Sequence, residues 1–205
     1  MSGRPLPEPP RAWQRMLSGR RLDLLNPSPD DVAIEDIAHG LARVARWNGQ
    51  TRGRHAFSVA QHAVLVADIA LALDTGLSRD GQLAALLHDA PEYVIGDLIS
   101  PFKAALGLDY KAFEERLQAA IHIRFRLPHP LCSDLRAAIK RADRIAAYFE
   151  ATGLAGFAED EGRRYFGPVE SLPEALELAL RQLDPMAVHR AEAAFLDRYT
   201  ALVST

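Results

Sequence analysis

The chain has 205 residues, of which 48% are hydrophobic, and carries a formal net charge of −3 at pH 7. This length and composition favour one domain with a substantial core. The mild negative charge gives no indication of binding to duplex nucleic acid, which requires a basic surface. The single cysteine, Cys132, excludes an intrachain disulfide, and no apolar run approaches the roughly 20 residues of a membrane span. These features predict a single-domain cytoplasmic protein, residues 1–205, without a membrane partner.

The first twenty residues favour an extended or flexible arm, because four prolines lie between Met1 and Pro10. After turn and capping residues at 28–31, a first helix is predicted from about Ile34 to near Gly49. Ser58 and Gln61 form a capping-box pattern before a helical periodicity that continues to Leu73. These signals predict two helices in this part of the chain.

A third periodic stretch runs from about Arg79 to Ala90, and Pro91 should disturb its continuation. The dipeptide His88–Asp89 therefore falls at a predicted helix end. Two longer helices are predicted from Asp109 to about Leu127 and from Leu131 to about Ala155, because prolines separate these segments.

The C-terminal part, about residues 171–203, contains signals for two more helices. Ser171 with Glu174 resembles a capping box, and Asp184–Pro185 opens an amphipathic helix through about Leu202. The charged segment 158–167 is interpreted as a mobile loop or lid. Because no alternating strand pattern is convincing, the predicted fold class is all-α, an irregular multi-helix bundle.

Four residues have the side-chain types of a metal site: His62, His88, Asp89 and Asp143. Imidazole nitrogens together with carboxylate oxygens suit Mn, Fe, Co, Ni or Zn, whereas calcium and magnesium prefer oxygen ligands alone. Taken singly, His62 fits a hydrogen-bonded core histidine, and Asp143 fits an ion pair with Arg141 or Arg144. Together they are candidates for a divalent-metal site, and their order along the chain is H…HD…D.

This H…HD…D order, with the runs His88–Glu92 and Gly96–Leu98, resembles the HD-domain metal-dependent phosphohydrolases. Within them, it is most similar to the bacterial five-prime deoxynucleotidase branch, over roughly residues 46–150. The resemblance implies a helical bundle of the HD type and one divalent ion bound by His62, His88, Asp89 and Asp143. It also implies that Glu92 acts as the catalytic acid or base beside Asp89.

The resemblance further implies substrate contacts for Arg46, Trp47 and Asp97, with the Arg-Trp pair meeting the phosphate and sugar of a nucleotide. Each of these residues also has a plain alternative. Glu92 could be an exposed helix-end glutamate, Asp97 could cap the following helix, and Arg46–Trp47 could be an ordinary surface-and-core pair. The basic loop Arg52–His55 fits either a cationic mouth or a solvated loop.

The predicted function is removal of phosphate from a nucleoside or deoxynucleoside monophosphate by metal-activated water. Three alternatives remain open: action on a triphosphate or signalling nucleotide, a nucleotide-sensing metal-binding protein with little turnover, and a purely structural helical protein. Apolar positions on the last helices allow a homodimer, although burial within one chain explains them equally well.

Overall fold

The computed structural model describes residues 12–97 and 108–204. These residues form a multi-helix, all-α fold with one short hairpin, which confirms the predicted fold class. In chain order, the elements are β1 (Trp13–Arg15), β2 (Arg21–Asp23), a 3-10 turn (Pro29–Asp31), α1 (Ile34–Leu41), a 3-10 turn (Arg46–Gly49), α2 (Val59–Leu73), α3 (Arg79–Leu86), α4 (Glu92–Ile95), α5 (Leu108–Arg124), α6 (Ser133–Gly153), α7 (Glu159–Phe166), α8 (Glu174–Arg181) and α9 (Val188–Val203).

Helix α2 lies at the centre of the fold and packs against α3, α6 and α9. Most of its buried positions are alanines or branched apolar residues, and a helix that is apolar on most faces belongs inside a core. The Ser58 hydroxyl accepts from the Gln61 N–H at 3.3 Å, as the capping prediction required. The Gln61 side chain instead binds the backbone of Asp184 and Met186, so only half of the predicted box forms.

The hairpin β1–β2 was not predicted, and it orders part of the expected N-terminal arm. Trp13 pairs with Asp23 and Arg15 with Arg21, and Leu22 is fully buried. Strands of three residues are too short to show the alternation by which a strand is predicted. The proline-rich run at residues 1–10 lies outside the described residues.

The first helix ends at Leu41, well before the predicted end near Gly49. Beyond it, the backbone becomes extended, because the Arg46 N–H donates to Phe57 O and the Val59 N–H donates to Val44 O. Trp47 and Asn48 then adopt positive φ angles of 57° and 50°, which a right-handed helix excludes. This turn fixes the Arg46–Trp47 pair beside the start of α2.

Three further predictions are corrected by the structure. The segment 158–167 is mostly helical, as α7, because its acidic first turn and basic last turn suit a short helix. The Ser171–Glu174 capping box does not form, since α8 follows Pro173 with no side-chain cap. The last helix begins at Val188, later than Asp184–Pro185.

Helix α3 ends at Leu86, four residues before the predicted end, and turns carry the chain through residues 87–91. Helix α5 begins at Leu108, so Asp109 lies inside it. Helix α6 closely follows the predicted 131–155 segment. Across the described ranges, every helix is too short or too polar to cross a membrane.

Candidate metal centre

Three parts of the backbone carry the candidate ligands. His62 lies in the first turn of the central helix α2, and Asp143 lies midway along α6, which packs against it. His88 and Asp89 lie in the turn after α3, where the Asp89 carbonyl accepts from the Glu92 N–H at 3.0 Å. This turn directs two neighbouring side chains toward the α2–α6 contact.

The structure brings the four predicted ligands together. One ligand atom each from His62, His88 and Asp143 lie within 4.8 Å of one another. His62 Nε2 is 3.4 Å from Asp143 Oδ1 and 3.5 Å from Asp89 Oδ2, while His88 Nε2 is 3.1 Å from the same Asp89 oxygen. Nitrogen and oxygen ligands about 2.0–2.1 Å from one ion lie about 3 to 3.4 Å apart, so these spacings fit a shared ion.

The two histidines expose the same nitrogen to this centre. Both Nε2 atoms are buried and have no hydrogen-bond partner among residues 12–97 and 108–204. Each Nδ1 faces an acceptor: the Ala85 carbonyl lies 2.8 Å from His88 Nδ1, and Glu150 Oε1 lies 2.5 Å from His62 Nδ1. Because these oxygens accept, Nδ1 carries the proton in both neutral rings and Nε2 presents its lone pair.

The charges around the centre favour a cation at His62 Nε2. Burial and Arg46 lower the pKa of His62, but Glu150, Asp143 and Asp89 together raise it well above its ordinary value. Burial raises the pKa of Asp89, yet His88 and His62 hold it well below its usual range. Burial raises the pKa of Asp143 as well, but the close contact and charge of His62 hold it below its usual range. A metal ion at His62 Nε2 would satisfy the same carboxylates that otherwise favour a proton on His62.

Glu150 is the residue of this centre that the sequence reasoning missed. Its side chain is fully buried, and Oε2 accepts from Trp47 Nε1 at 2.9 Å and from Arg46 Nε and Nη2 at 3.2 and 3.1 Å. Burial raises its pKa, but Arg46 and His62 lower it to about 2. The available signal was a glutamate within the apolar run 145–151, because a glutamate is seldom fully buried unless it is paired.

Arg46 and Trp47 both bind Glu150 at the border of the centre. Two nitrogens of Arg46 bind Glu150, and Nη1 lies 3.9 Å from Asp89 Oδ2 and 3.7 Å from Asp97 Oδ2. The Trp47 ring packs against Phe157 and Phe166, with ring centroids at 5.7 and 5.8 Å. The pair is therefore neither exposed nor isolated, and Arg46 directs only Nη1 toward the ligands.

Glu92 and Asp97 are linked to the centre through their neighbours: the Glu92 N–H donates to the Asp89 carbonyl, and the Asp97 carboxylate contacts Arg46. Glu92 is only 2% exposed at the start of α4, so it is not the exposed helix-end glutamate of the plain alternative. Asp97 contacts Arg46, as described above, and the helix that it was suggested to cap lies outside the described residues. Glu92 is thus buried within the fold, and the Asp97 carboxyl lies beside the guanidinium of Arg46.

No protein-family model matches the chain. An uncharacterized protein of Rhodobacter capsulatus is 56% identical over 172 residues, which cover 83% of this chain and 88% of that protein. The uncharacterized protein YfdR of Escherichia coli is 33% identical over 189 residues, which cover 92% of this chain and 94% of YfdR. The chain belongs to the family of these two proteins. Both are named as uncharacterized, so membership of the YfdR family assigns no activity.

In this member of the YfdR family, the basic loop before α2 is exposed to solvent. Arg52, Arg54 and His55 are all exposed, and the Arg52 N–H donates to the Leu154 carbonyl at 2.9 Å. Lys140, on the outer face of α6, reaches Asp143 Oδ2 at 2.7 Å. The cations that contact the centre itself are therefore Arg46 and Lys140 within the described part of the chain.

Proposed function

We propose that this protein is a divalent-metal-dependent phosphohydrolase of the HD-domain type, acting on a nucleoside or deoxynucleoside monophosphate. The observation that carries the proposal is the pair of buried Nε2 atoms of His62 and His88. Neither has a hydrogen-bond partner in the described ranges, and both face the carboxylates of Asp89 and Asp143. A buried histidine that serves only the core normally has its polar atoms satisfied.

The ligand set suits a transition-type ion such as Mn, Co, Ni, Fe or Zn, because it combines two imidazoles with two carboxylates. Held by His62, His88, Asp89 and Asp143, such an ion would supply a Lewis acid for a phosphoryl oxygen and lower the pKa of a bound water. The carboxylates of Asp89 and Asp143 would balance the charge of the ion. Asp89 and Glu92 are the two proposed catalytic residues.

The side chains around the ligands support an anionic substrate. Arg46 Nη1 lies within 4 Å of Asp89, and the Arg46 side chain is only 12% exposed. A substrate phosphate bound beside Asp89 would therefore contact a largely buried guanidinium. Asp97, which also contacts Nη1, would supply acceptors for sugar hydroxyls. Trp47 forms a rigid wall, because its ring packs against Phe157 and Phe166.

Glu92 is the proposed proton-transfer residue. Its burial at the start of α4 removes it from bulk water, and it follows Asp89 by three residues. A carboxylate in that position takes a proton from the attacking water or returns one to the leaving alkoxide. We also propose a cytoplasmic location, since Cys132 is an exposed free thiol and suits a reducing compartment.

The test is phosphate release from nucleoside and deoxynucleoside mono- and triphosphates with Mn, Co, Ni, Zn or Mg. Asp89→Ala should abolish release, and Glu92→Gln should lower kcat by about 10²- to 10⁴-fold while metal remains bound. The matched control is Asp197→Ala, which removes an exposed carboxylate on α9 and should leave release unchanged.

The substrate panel separates the alternatives. Release from monophosphates supports the proposal, and release from triphosphates alone moves the substrate class to another nucleotide. Tight nucleotide binding without any release, with metal bound, contradicts a hydrolase and supports a nucleotide-sensing protein.

A further inference from the structure

Glu150 joins three side chains that the sequence places far apart. Its Oε1 contacts His62 Nδ1, and its Oε2 binds Arg46 and Trp47. It lies seven residues after Asp143 on α6, about two helical turns, so the two carboxylates share one face of the helix. One face of α6 thus carries Asp143, a candidate metal ligand, and Glu150, which contacts the back of the His62 ring.

We infer that Glu150 is a positioning residue that fixes His62 as the Nδ1–H tautomer and directs its Nε2 lone pair to the metal. The inference rests on the proposed metal site. A carboxylate can only accept hydrogen bonds, so a neutral His62 facing Glu150 must carry its proton on Nδ1. Partners of this kind behind a metal ligand orient the ring and strengthen the ligand.

The environment of Glu150 keeps it in that role. Arg46 neutralises its charge inside the core, and Trp47 Nε1 holds Oε2, which leaves Oε1 directed at His62. The same contacts couple the Arg46–Trp47 pair to His62 through one carboxylate. By contrast, the other histidine ligand, His88, is oriented by a neutral backbone carbonyl, that of Ala85.

The decisive variant is Glu150→Gln, which keeps the shape but replaces one acceptor oxygen by an NH2 donor. Three of the four donor contacts fall on Oε2, so the amide oxygen is expected to face Arg46 and Trp47. The NH2 group then faces His62 and moves the ring proton from Nδ1 to Nε2. We expect zinc affinity to fall by about 10- to 100-fold.

Two measurements test this directly: zinc affinity by calorimetry, and the 15N NMR signature of His62 in the zinc-bound protein. Wild type should show Nδ1 protonated and Nε2 bound to zinc, and Glu150→Gln should lose that signature. A merely structural role for Glu150 would alter stability without changing which nitrogen binds.

The chain offers a matched control on its surface. Glu192 also binds an arginine and a histidine, at 2.7 Å from Arg43 and 3.5 Å from His39. Glu192→Gln makes the same chemical change away from the centre and should leave zinc affinity and the His62 signature unchanged.

If Glu150→Gln does not fold, Glu150→Asp retains the charge but withdraws Oε1 from His62, and about tenfold weaker zinc binding is expected. The inference is overturned if His62 of the wild type binds zinc through Nδ1. It is also overturned if the Glu150 variant that folds binds zinc as tightly as the wild type. Phosphate release by the wild type distinguishes this failure from failure of the proposed function. A wild-type chain that binds no divalent ion overturns both.

Discussion

Two buried histidines on apolar helix faces, His62 and His122, have different surroundings. His122 is 3% exposed on α5, its Nδ1 donates to the Pro128 carbonyl at 3.0 Å, and its Nε2 lies 2.6 Å from the Gln118 amide nitrogen. His62 is equally buried, but its Nε2 faces carboxylates and makes no hydrogen bond to any residue that the structure describes. Burial alone therefore does not mark a candidate metal ligand, whereas an unsatisfied nitrogen directed at carboxylates does.

The largest expected difference between the two histidines is in metal binding and catalysis. His62→Ala should remove metal binding and lower phosphate release by about 10³-fold or more, because a bound metal contributes several kcal/mol to the transition state. His122→Ala should keep metal affinity and release close to wild type. Calorimetry with Mn or Zn and the phosphate assay measure both quantities, and equal losses in the two variants would contradict the assignment.

Metal addition should stabilise the fold through His62 and not through His122. At a free metal concentration 100 times Kd, the free energy of unfolding should rise by about 2.7 kcal/mol, because the ion binds the folded state. Chelator should reverse the gain. Denaturant unfolding with and without metal should show this gain in wild type and His122→Ala and not in His62→Ala. A gain that persists in His62→Ala would place the ion elsewhere.

His122→Ala should instead lower stability in the metal-free protein. The change leaves the Pro128 carbonyl and a Gln118 N–H without their partner, and unsatisfied buried groups cost about 1–3 kcal/mol each. The free energy of unfolding in chelator measures the loss. A stability equal to wild type would show that this network contributes nothing to the fold.

The smallest expected effect is a pH dependence that belongs to His122. Burial lowers the pKa of His122. Protonation of its Nε2 would also place a second N–H group against the N–H of the Gln118 amide, and that hydrogen bond would be lost. A histidine with a lowered folded-state pKa contributes stability in full above about pH 6.5, and this contribution is lost as the pH falls through the folded-state value. The stability gap between wild type and His122→Ala should therefore narrow below about pH 6.5. Urea unfolding in chelator at several pH values checks this, and a gap that widens on acidification would reverse the sign.

The helical fold could be predicted from the sequence because long segments with period 3.6 and caps, such as Ser58 before α2, are local signals. Boundaries were less predictable. The first helix was predicted to reach Gly49, but pairing of residues 44–46 with 57–59 ends it earlier, and that pairing depends on distant chain segments. For the same reason, the segment predicted as a lid became α7, which packs on α6.

The sequence by itself determined the helical class and proposed the four candidate ligands, because residue type, order and helical spacing are written in the chain. Only the tertiary structure decided that His62 Nε2 has no hydrogen-bond partner in the described part of the chain while both His122 nitrogens have one. It also revealed Glu150 behind His62, and it directed two nitrogens of Arg46 to that carboxylate. A hydrogen bond requires two groups within about 3 Å. Glu150 is 88 positions from His62 and 104 from Arg46, so these distances are set by the packing of the helices.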